Sequence, residues 1–508
     1  MTQVIEHRDV LIIGAGLSGI GAACHLEMLC RGLQYAILEA RDTSGGTWDL
    51  FRYPGVRSDS DMYTLGYRFH PWVGDEALAS GPSIRNYVRD TAQRHGVDRH
   101  VHYGQRVVRA GWSSADSRWT IEAVTGPDES IARWTCRFLY LCSGYYDYAA
   151  GHSPTWPGLD RYRGALVHPQ QWPEGLDYAG KRVVVIGSGA TAVTLVPAMA
   201  GKASHVTMLQ RSPSYVLSLP NIDVVGRALR RVLPAAAAHA LTRWKNVGIA
   251  MGLYAVCRHT PRLARRLLKQ RVVRVLGERY AVDTHFNPAY EPWDQRLCFV
   301  PDDDLLLAIN AGRASIVTDR IAEFTERGIT LESGVRLAAD VIVTATGLRL
   351  LPLGGIALAI DGAPVDLGRR LTYRGAMLDG VPNLAFCIGY TNASWTLRAD
   401  LVSRFVCRLL AYMSAHAYVS CTPRNHNPET TLRPLLNLSS GYVQRSVGAL
   451  PMQGVQSPWT IHQNHAREWL SLRFGRLGDG ALVFERVAPS SAQSPAGVAI
   501  ATPGPASH

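Results

Sequence analysis

Glycines in two separated stretches have the spacing that binds the phosphates of a dinucleotide. In the first, Gly14, Gly16 and Gly19 follow the apolar run of residues 10–13 and open a helical pattern, and Ser18 offers a further phosphate contact. Such glycines permit a tight turn, close approach of the backbone to a pyrophosphate, and close packing of helix on strand. Glu39 ends the next apolar run. Its carboxylate would accept hydrogen bonds from ribose hydroxyls and repel a 2′-phosphate, so this stretch predicts a site for FAD or NAD.

The second stretch follows the apolar residues 182–186 and has alanine in place of the third glycine, an allowed substitution. Its predicted cofactor contacts are Gly187, Ser188, Gly189, Ala190, Thr191 and Ala192. The next apolar run ends on Gln210 and Arg211. An arginine at this position removes the repulsion and supplies a planar fork for a phosphate, which predicts NADP; the alternative is a solvated charge. Two sites with opposite ribose chemistry imply hydride transfer from NADPH to FAD.

A loop rich in glycine, tryptophan and charge follows the first unit at residues 45–59. We expect it to contact the flavin cofactor through Gly46, Thr47, Trp48, Asp49, Arg57, Ser58 and Asp59. The alternative is an Ω-loop that packs on its own aromatic side chains. Val107 is predicted either as a backbone contact to an adenine or as an ordinary core residue of a strand.

These motifs must be positioned by alternating strands and helices, which predicts an α/β fold with two dinucleotide-binding, Rossmann-like domains and a helical insertion. The predicted divisions are an FAD-binding domain (1–150 and 336–486), an NADP-binding domain (151–222 and 291–335), a basic helical insertion (223–290) and a disordered tail (487–508). The tail is assigned from its Ala, Pro, Ser and Gly content.

Length and composition set further bounds. A chain of 508 residues is expected to form two or three domains. A net charge of +12 is compatible with polyanionic cofactors, nucleic acid or an acidic membrane surface. The nine cysteines are scattered without a C-x-x-C pair, so we expect no metal site, no redox dithiol and a reducing cytoplasm. No secretory signal is apparent, and the apolar runs are shorter than the ~20 residues of a membrane span.

The basic insertion has helical, amphipathic spacing and many arginines between Arg227 and Arg279. Its ordinary interpretation is a solvated helical face. The alternative is peripheral contact with a membrane surface, through which apolar substrates would be reached. Nucleic acid is disfavoured because no recognised binding motif accompanies the charge.

A connector between the two glycine motifs carries the resemblance to a known family. Gly164, His168, Trp172 and Pro173 match the fingerprint F-x-G-x-x-x-H-x-x-x-W-P of type I Baeyer–Villiger monooxygenases, which are class B flavoprotein monooxygenases; Tyr162 replaces its first residue. The loop at 45–59 matches a second signature of that family, G-G-x-W-x-x-x-x-[FY]-P-G-x-x-x-D. Further likeness to mycobacterial members lies in residues 46–55, 57–66, 187–197 and 389–397. The resemblance covers most of residues 8–486.

The resemblance implies that NADPH reduces FAD, that O2 adds to give a C4a-peroxyflavin, and that NADP⁺ stays bound while a ketone becomes an ester or lactone. Arg296 matches the arginine that stabilises the negative peroxide, and Asp59 would orient it. His168 would position the nicotinamide domain during the cycle. A small-molecule ketone or soft heteroatom compound, together with O2, is therefore the expected substrate.

Three other functions remain as alternatives. Flavin-containing monooxygenases oxidise nitrogen or sulfur but lack the Trp-Pro ending, so Trp172 and Pro173 favour carbon–carbon insertion. A flavin disulfide reductase would need a redox cysteine pair, whereas Cys24 and Cys30 do not face each other on the first helix. The third alternative is a non-catalytic nucleotide-binding module.

Overall fold

The computed structural model describes residues 5–486 and is organised around two separate β-sheets. The first sheet has a parallel centre, in which Ile12 lies opposite Ile37 on one neighbouring strand and Tyr140 on the other. The paired segments at residues 10–13, 35–38 and 138–141 are continuous apolar runs, as expected of strands that are buried on both faces. The strands of the first sheet are Glu6–Ile13, Tyr35–Leu38, Val101–His102, Arg106–Ser113, Arg118–Thr125, Ser130–Leu141, Ala357–Ile360, Ala363–Pro364, Thr372–Tyr373, Met377–Leu378 and Leu384–Phe386.

The second sheet is wholly parallel, and its spatial order is Ala314–Thr318, His205–Gln210, Arg182–Ile186, Val341–Thr344 and Ala165–Val167. The predicted α/β fold with two nucleotide-binding sheets is therefore confirmed. One predicted boundary is wrong: Val341–Thr344, assigned to the FAD-binding domain, pairs within the second sheet. A buried parallel strand has no local signal that says which of two parallel sheets it joins.

Helices cover the faces of both sheets. Leu17–Leu29 packs against the long helix Trp395–Ala415 beside the first sheet. The described helices are Leu17–Leu29, Thr47–Leu50, Met62–Leu65, Gly81–Arg94, Ala190–Met199, Val224–Val232, Ala235–His259, Pro261–Leu276, Val282–His285, Asp304–Asn310, Trp395–Ala415, Gly441–Gln444 and His465–Phe474. Smaller sheets pair Val216–Leu219 with Cys298–Pro301, Tyr418–Pro423 with Leu482–Arg486, and Leu432–Pro434 with Met452–Gly454, and a three-stranded sheet contains Ile321–Thr325, Gly328–Leu331 and Arg336–Ala338.

The predicted basic insertion contains four helices, Val224–Val232, Ala235–His259, Pro261–Leu276 and the short Val282–His285. Several of its cations pair with acidic residues elsewhere in the chain, for example Arg271 with Asp303. Between residues 5 and 486, no helix combines the length and the apolar character needed to cross a membrane. The predicted disordered tail at 487–508 lies outside the described residues.

Candidate active site at the two nucleotide loops

A cavity of about 680 Å³ is lined by the first glycine loop, the loop at 45–59 and the start of the helix that follows the second glycine loop. Most of the residues predicted as cofactor contacts or catalytic groups line it. These are Gly14, Gly16, Ser18, Glu39, Gly46, Thr47, Trp48, Arg57, Ser58, Asp59, Val107, Ala190, Thr191 and Arg296. The fold thus brings residues that are up to 282 positions apart in the chain, from Gly14 to Arg296, together around one cavity.

The first glycine loop has the geometry of a phosphate cradle. Gly14 has a φ of +103°, and a side chain there would meet the Cys142 carbonyl oxygen at 2.8 Å. A Cβ on Gly19, which does not line the cavity, would lie 1.8 Å from the Gly14 carbonyl oxygen. No side chain caps the helix that begins at Leu17, so the N–H groups of its first turn are available to an anion. The loop fits a dinucleotide pyrophosphate.

Glu39 stands beside this loop. Its buried carboxylate accepts hydrogen bonds from the backbone N–H groups of Ala15 at 2.6 Å and Arg41 at 2.9 Å. Burial raises its pKa, although both hydrogen bonds act in the opposite direction. The carboxylate therefore fixes the glycine loop and still faces the cavity, where an acid that binds ribose hydroxyls is expected.

Asp49 has a different environment from its neighbours in the 45–59 loop. Its carboxylate is almost completely buried and lies 2.5 Å from Arg41 and 2.9 Å from Arg89. It does not line the cavity. Buried charges are tolerated when they are paired, so Asp49 holds the loop to the helix Gly81–Arg94. Its contribution to a cofactor site would be through the loop that it orders.

The second glycine loop repeats the arrangement of the first. Gly187 has a φ of +136°, and a side chain there would meet the Ala345 carbonyl oxygen at 2.3 Å. Gly189 precedes the helix Ala190–Met199 without a side-chain cap, while Ala192 is fully buried. The Ser188 hydroxyl donates to the Ser212 carbonyl oxygen at 3.0 Å. This loop also leaves helical N–H groups available to a phosphate.

Gln210 and Arg211, the two residues predicted to recognise the second ribose, have different environments. The Gln210 side chain is buried, and its amide donates to the His285 carbonyl oxygen at 2.9 Å and to the Thr318 hydroxyl at 2.8 Å. Arg211, directly after the strand His205–Gln210, is exposed and makes no ion pair with any described residue. Arg211 is thus the one of the two whose side chain is free to bind a phosphate.

An ion pair stands on the cavity wall. One Arg296 guanidinium nitrogen lies 3.3 Å from an Asp59 carboxylate oxygen, and about a third of each side chain is accessible, with 32% for Arg296 and 35% for Asp59. Because both line the cavity, this accessible surface faces it. Asp59 raises the pKa of Arg296 above its ordinary value, against the opposing effect of burial. The Arg296 guanidinium on the cavity wall therefore stays protonated, beside the Asp59 carboxylate.

Phenols surround this pair, and the motifs gave no indication of them. Tyr145 and Tyr146 line the cavity directly after the turn at Gly144, and Tyr442 reaches the same charged pair from a distant part of the chain. Tyr145 also stacks on Trp395, with ring centroids 5.1 Å apart. In the sequence, the only indication of Tyr145 and Tyr146 was their position directly after the small residues that end a predicted strand.

His168 lies apart from the large cavity, in a cleft beside the second glycine loop. Its Nδ1 accepts from the Gln170 N–H, and its Nε2 lies 3.2 Å from the Gly347 carbonyl oxygen. These partners require the proton on Nε2, and burial lowers the pKa of the ring. A neutral His168 therefore ties the connector between the nucleotide motifs to the turn after Val341–Thr344.

Comparison with known proteins places this geometry in a family. The model of the family described as "Flavin-binding monooxygenase-like" matches residues 77–351, and that of an NAD(P)-binding Rossmann-like domain matches residues 12–75. The FAD-containing monooxygenase EthA of Mycobacterium tuberculosis is 50% identical over 486 residues, which are 95% of this chain and 99% of the relative. The probable FAD-binding monooxygenase AlmA of Acinetobacter baylyi is 45% identical over 485 residues, 95% and 97% of the two chains.

A solved structure titled "Oxidized steroid monooxygenase bound to NADP" superimposes with a TM-score of 0.73 at 21% identity, covering 94% of this chain and all of the other, which supports the fold alone. The resemblance inferred from the two sequence signatures is confirmed by the mycobacterial relative. Since the family model covers more than half of the chain and EthA matches nearly all of it, this protein belongs to the flavin-binding monooxygenase-like family.

Proposed function

We propose that this protein is an NADPH- and O2-dependent FAD monooxygenase that inserts an oxygen atom next to a ketone carbonyl. The balanced reaction converts ketone, O2, NADPH and H⁺ into an ester or lactone, NADP⁺ and water. The observation that carries the proposal is the Arg296–Asp59 ion pair on the wall of a cavity that the first glycine loop and, through Ala190 and Thr191, the start of the helix after the second loop also line. Relatives named as FAD-containing monooxygenases support the cofactor assignment.

Each nucleotide would have its own set of residues. The first glycine loop, Glu39 and the loop at 45–59 would hold FAD, while the second glycine loop and Arg211 would hold NADPH. Bound together, the two cofactors supply hydride transfer and the activation of O2. Gln210 and Asp49 would act indirectly, because their side chains are already committed to protein partners.

The chain's own contribution to the chemistry would be electrostatic. A guanidinium does not lose its proton under physiological conditions. Arg296 would therefore stabilise a negatively charged oxygen at the cavity wall without transferring a proton to it. Asp59 would orient Arg296 and keep it directed along the wall. Neutral His168, with both ring nitrogens engaged, would maintain the junction between the domains and take no part in proton transfer.

The competing functions differ in what they need from this cavity. A disulfide reductase needs a reactive thiolate, whereas burial raises the pKa of the cavity-lining Cys142 thiol well above its ordinary value. That thiol would remain protonated and unreactive. Heteroatom oxygenation would use the same cavity, so products must separate it from ketone oxidation.

A matched pair of linear substrates makes this separation. The FAD-loaded protein would be supplied with NADPH, ¹⁸O2 and either 2-octanone or methyl hexyl sulfide. We expect 2-octanone to give hexyl acetate with one ¹⁸O atom per molecule, measured by mass spectrometry. Sulfoxide formation with unreacted ketone would replace the proposal by heteroatom oxygenation. Absence of labelled product from both compounds would reject an oxygenase altogether.

We also propose peripheral contact of the helical insertion with an anionic membrane surface. One face of the helix Ala235–His259 presents Leu241, Trp244 and Ile249, each about half exposed. Residues 224–277 contain no Asp or Glu, and Arg262 and Arg266 on the next helix are exposed without an ion pair to any described residue. Exposed apolar side chains beside cations are the composition that binds the interface of anionic bilayers.

Vesicle flotation tests this contact directly. We expect the protein to float with vesicles that contain phosphatidylglycerol and to stay unbound with pure phosphatidylcholine. Trp244→Ser combined with Arg262→Gln should abolish flotation, while Arg336→Gln, at an exposed site on the strand Arg336–Ala338, should not. Equal flotation of wild type and the double variant would contradict the proposal.

A further inference from the structure

Two neighbouring phenols in the cavity have no place in any nucleotide motif. Tyr145 and Tyr146 both line it, on the side that also carries Arg296. The Tyr145 ring is stacked on Trp395 with an interplanar angle of 16°, and the Tyr146 ring packs 6.5 Å from that of Phe51. Packing on both rings fixes where the two hydroxyl groups lie.

One of the two hydroxyl protons of this pair is not used in a hydrogen bond between them. The two phenolic oxygens are 3.1 Å apart, and this is the hydrogen bond that the described residues provide for either. Each hydroxyl has one proton, and only one of the two protons can lie between the oxygens. The other O–H has no acceptor among residues 5–486 and is available to the cavity. A ligand acceptor in the cavity could therefore receive this hydrogen bond.

The charge state of the pair is fixed as well. Burial raises the pKa of both phenols, and it outweighs the opposing influence of the nearby Arg296 cation. Both groups therefore remain neutral O–H donors at physiological pH. Tyr442, whose pKa burial also raises, adds no negative charge to this side of the cavity.

We propose that the Tyr145–Tyr146 pair is the binding site for the carbonyl oxygen of the substrate and selects ketones over thioethers. The inference rests on the proposed oxygenase function and adds a substrate contact to it. A carbonyl oxygen is a good hydrogen-bond acceptor, whereas a thioether sulfur is a weak one. Donation by the phenols would leave the Arg296 guanidinium free for a negatively charged oxygen.

We expect ketone affinity to fall much less in either single variant of the pair than in the double variant. In Tyr145→Phe or Tyr146→Phe, the remaining hydroxyl loses its partner but still has a proton to donate, so ketone binding should weaken by no more than about 2-fold. The double variant has no donor left. Loss of a neutral hydrogen bond corresponds to about 2- to 10-fold in affinity, and we expect the upper end of this range for 2-octanone. The affinity for methyl hexyl sulfide should stay within 2-fold of wild type.

Both affinities would be measured by calorimetry on the oxidised FAD-loaded protein, so that binding is separated from turnover. Tyr148→Phe is the matched control, because this cavity-lining phenol already has the Thr47 hydroxyl as partner at 3.1 Å. It should leave the ketone-to-thioether affinity ratio unchanged. An unchanged ratio in the double variant, a parallel loss of both ligands, or loss of FAD would overturn the inference. Failure of the oxygenase proposal would instead appear as absence of product from wild type that still binds ketone.

Discussion

Replacement of Arg211 tests the division of the two nucleotide sites by ribose chemistry. The side chain is exposed and has no ion pair with a described residue, so Arg211→Ala should leave folding unchanged. A charge-assisted hydrogen bond to a phosphate is worth ~1.5–3 kcal/mol, which corresponds to about a 10- to 150-fold rise in the KM for NADPH. The KM for NADH should not change, because NADH has no 2′-phosphate.

Initial rates of NADPH and NADH oxidation with 2-octanone would measure both values. Arg274→Ala is the matched control, since Arg274 is also exposed, lies on the helix Pro261–Leu276 and has no ion pair among the described residues. It should alter neither KM. If Arg211→Ala raised the KM for NADPH and NADH equally, or changed neither, the assignment of the second loop to NADPH through this residue would be refuted.

Three further predictions concern the framework. Gly19→Ala should abolish retention of FAD, read from flavin absorbance after gel filtration, because its Cβ would lie 1.8 Å from the Gly14 carbonyl oxygen. Burial lowers the pKa of His239 to about 4, so the ring stays neutral in the folded protein while it gains a proton in the unfolded chain as the pH falls below ~6.5. The loss of stability between pH 7.5 and pH 4 in urea denaturation should therefore be ~3 kcal/mol smaller in His239→Gln than in wild type. Glu468→Ala should cost ~3–5 kcal/mol in the same assay, because it leaves the fully buried Arg398, now 3.0 Å from Glu468, without a counter-charge.

The parts of the site that depend on short sequence separation were predictable. Strand, glycine loop and helix follow one another within about 20 residues, so spacing alone identified both nucleotide loops. Arg296 was placed beside Asp59 only through the family resemblance, since 237 residues separate them and neither has a distinctive local pattern.

Side-chain direction was not predictable, because it is set by distant partners. Asp49 turns away from the cavity toward Arg89, and Gln210 turns toward His285 and Thr318. The strand Val341–Thr344 was assigned to the wrong sheet for the same reason: its partners, not its composition, determine where it pairs. The phenol cluster also depends on packing, which no motif encodes.

The central claim, that Arg296 supplies the charge for oxygen insertion, is tested most directly by ester formation in Arg296→Ala. Removal of one preorganised stabilising group typically lowers kcat by ~10²–10³-fold. We therefore expect hexyl acetate formation from 2-octanone to fall by at least that factor, while FAD stays bound and NADPH still bleaches the flavin without O2. Ester formation by this variant at the wild-type rate would contradict the account.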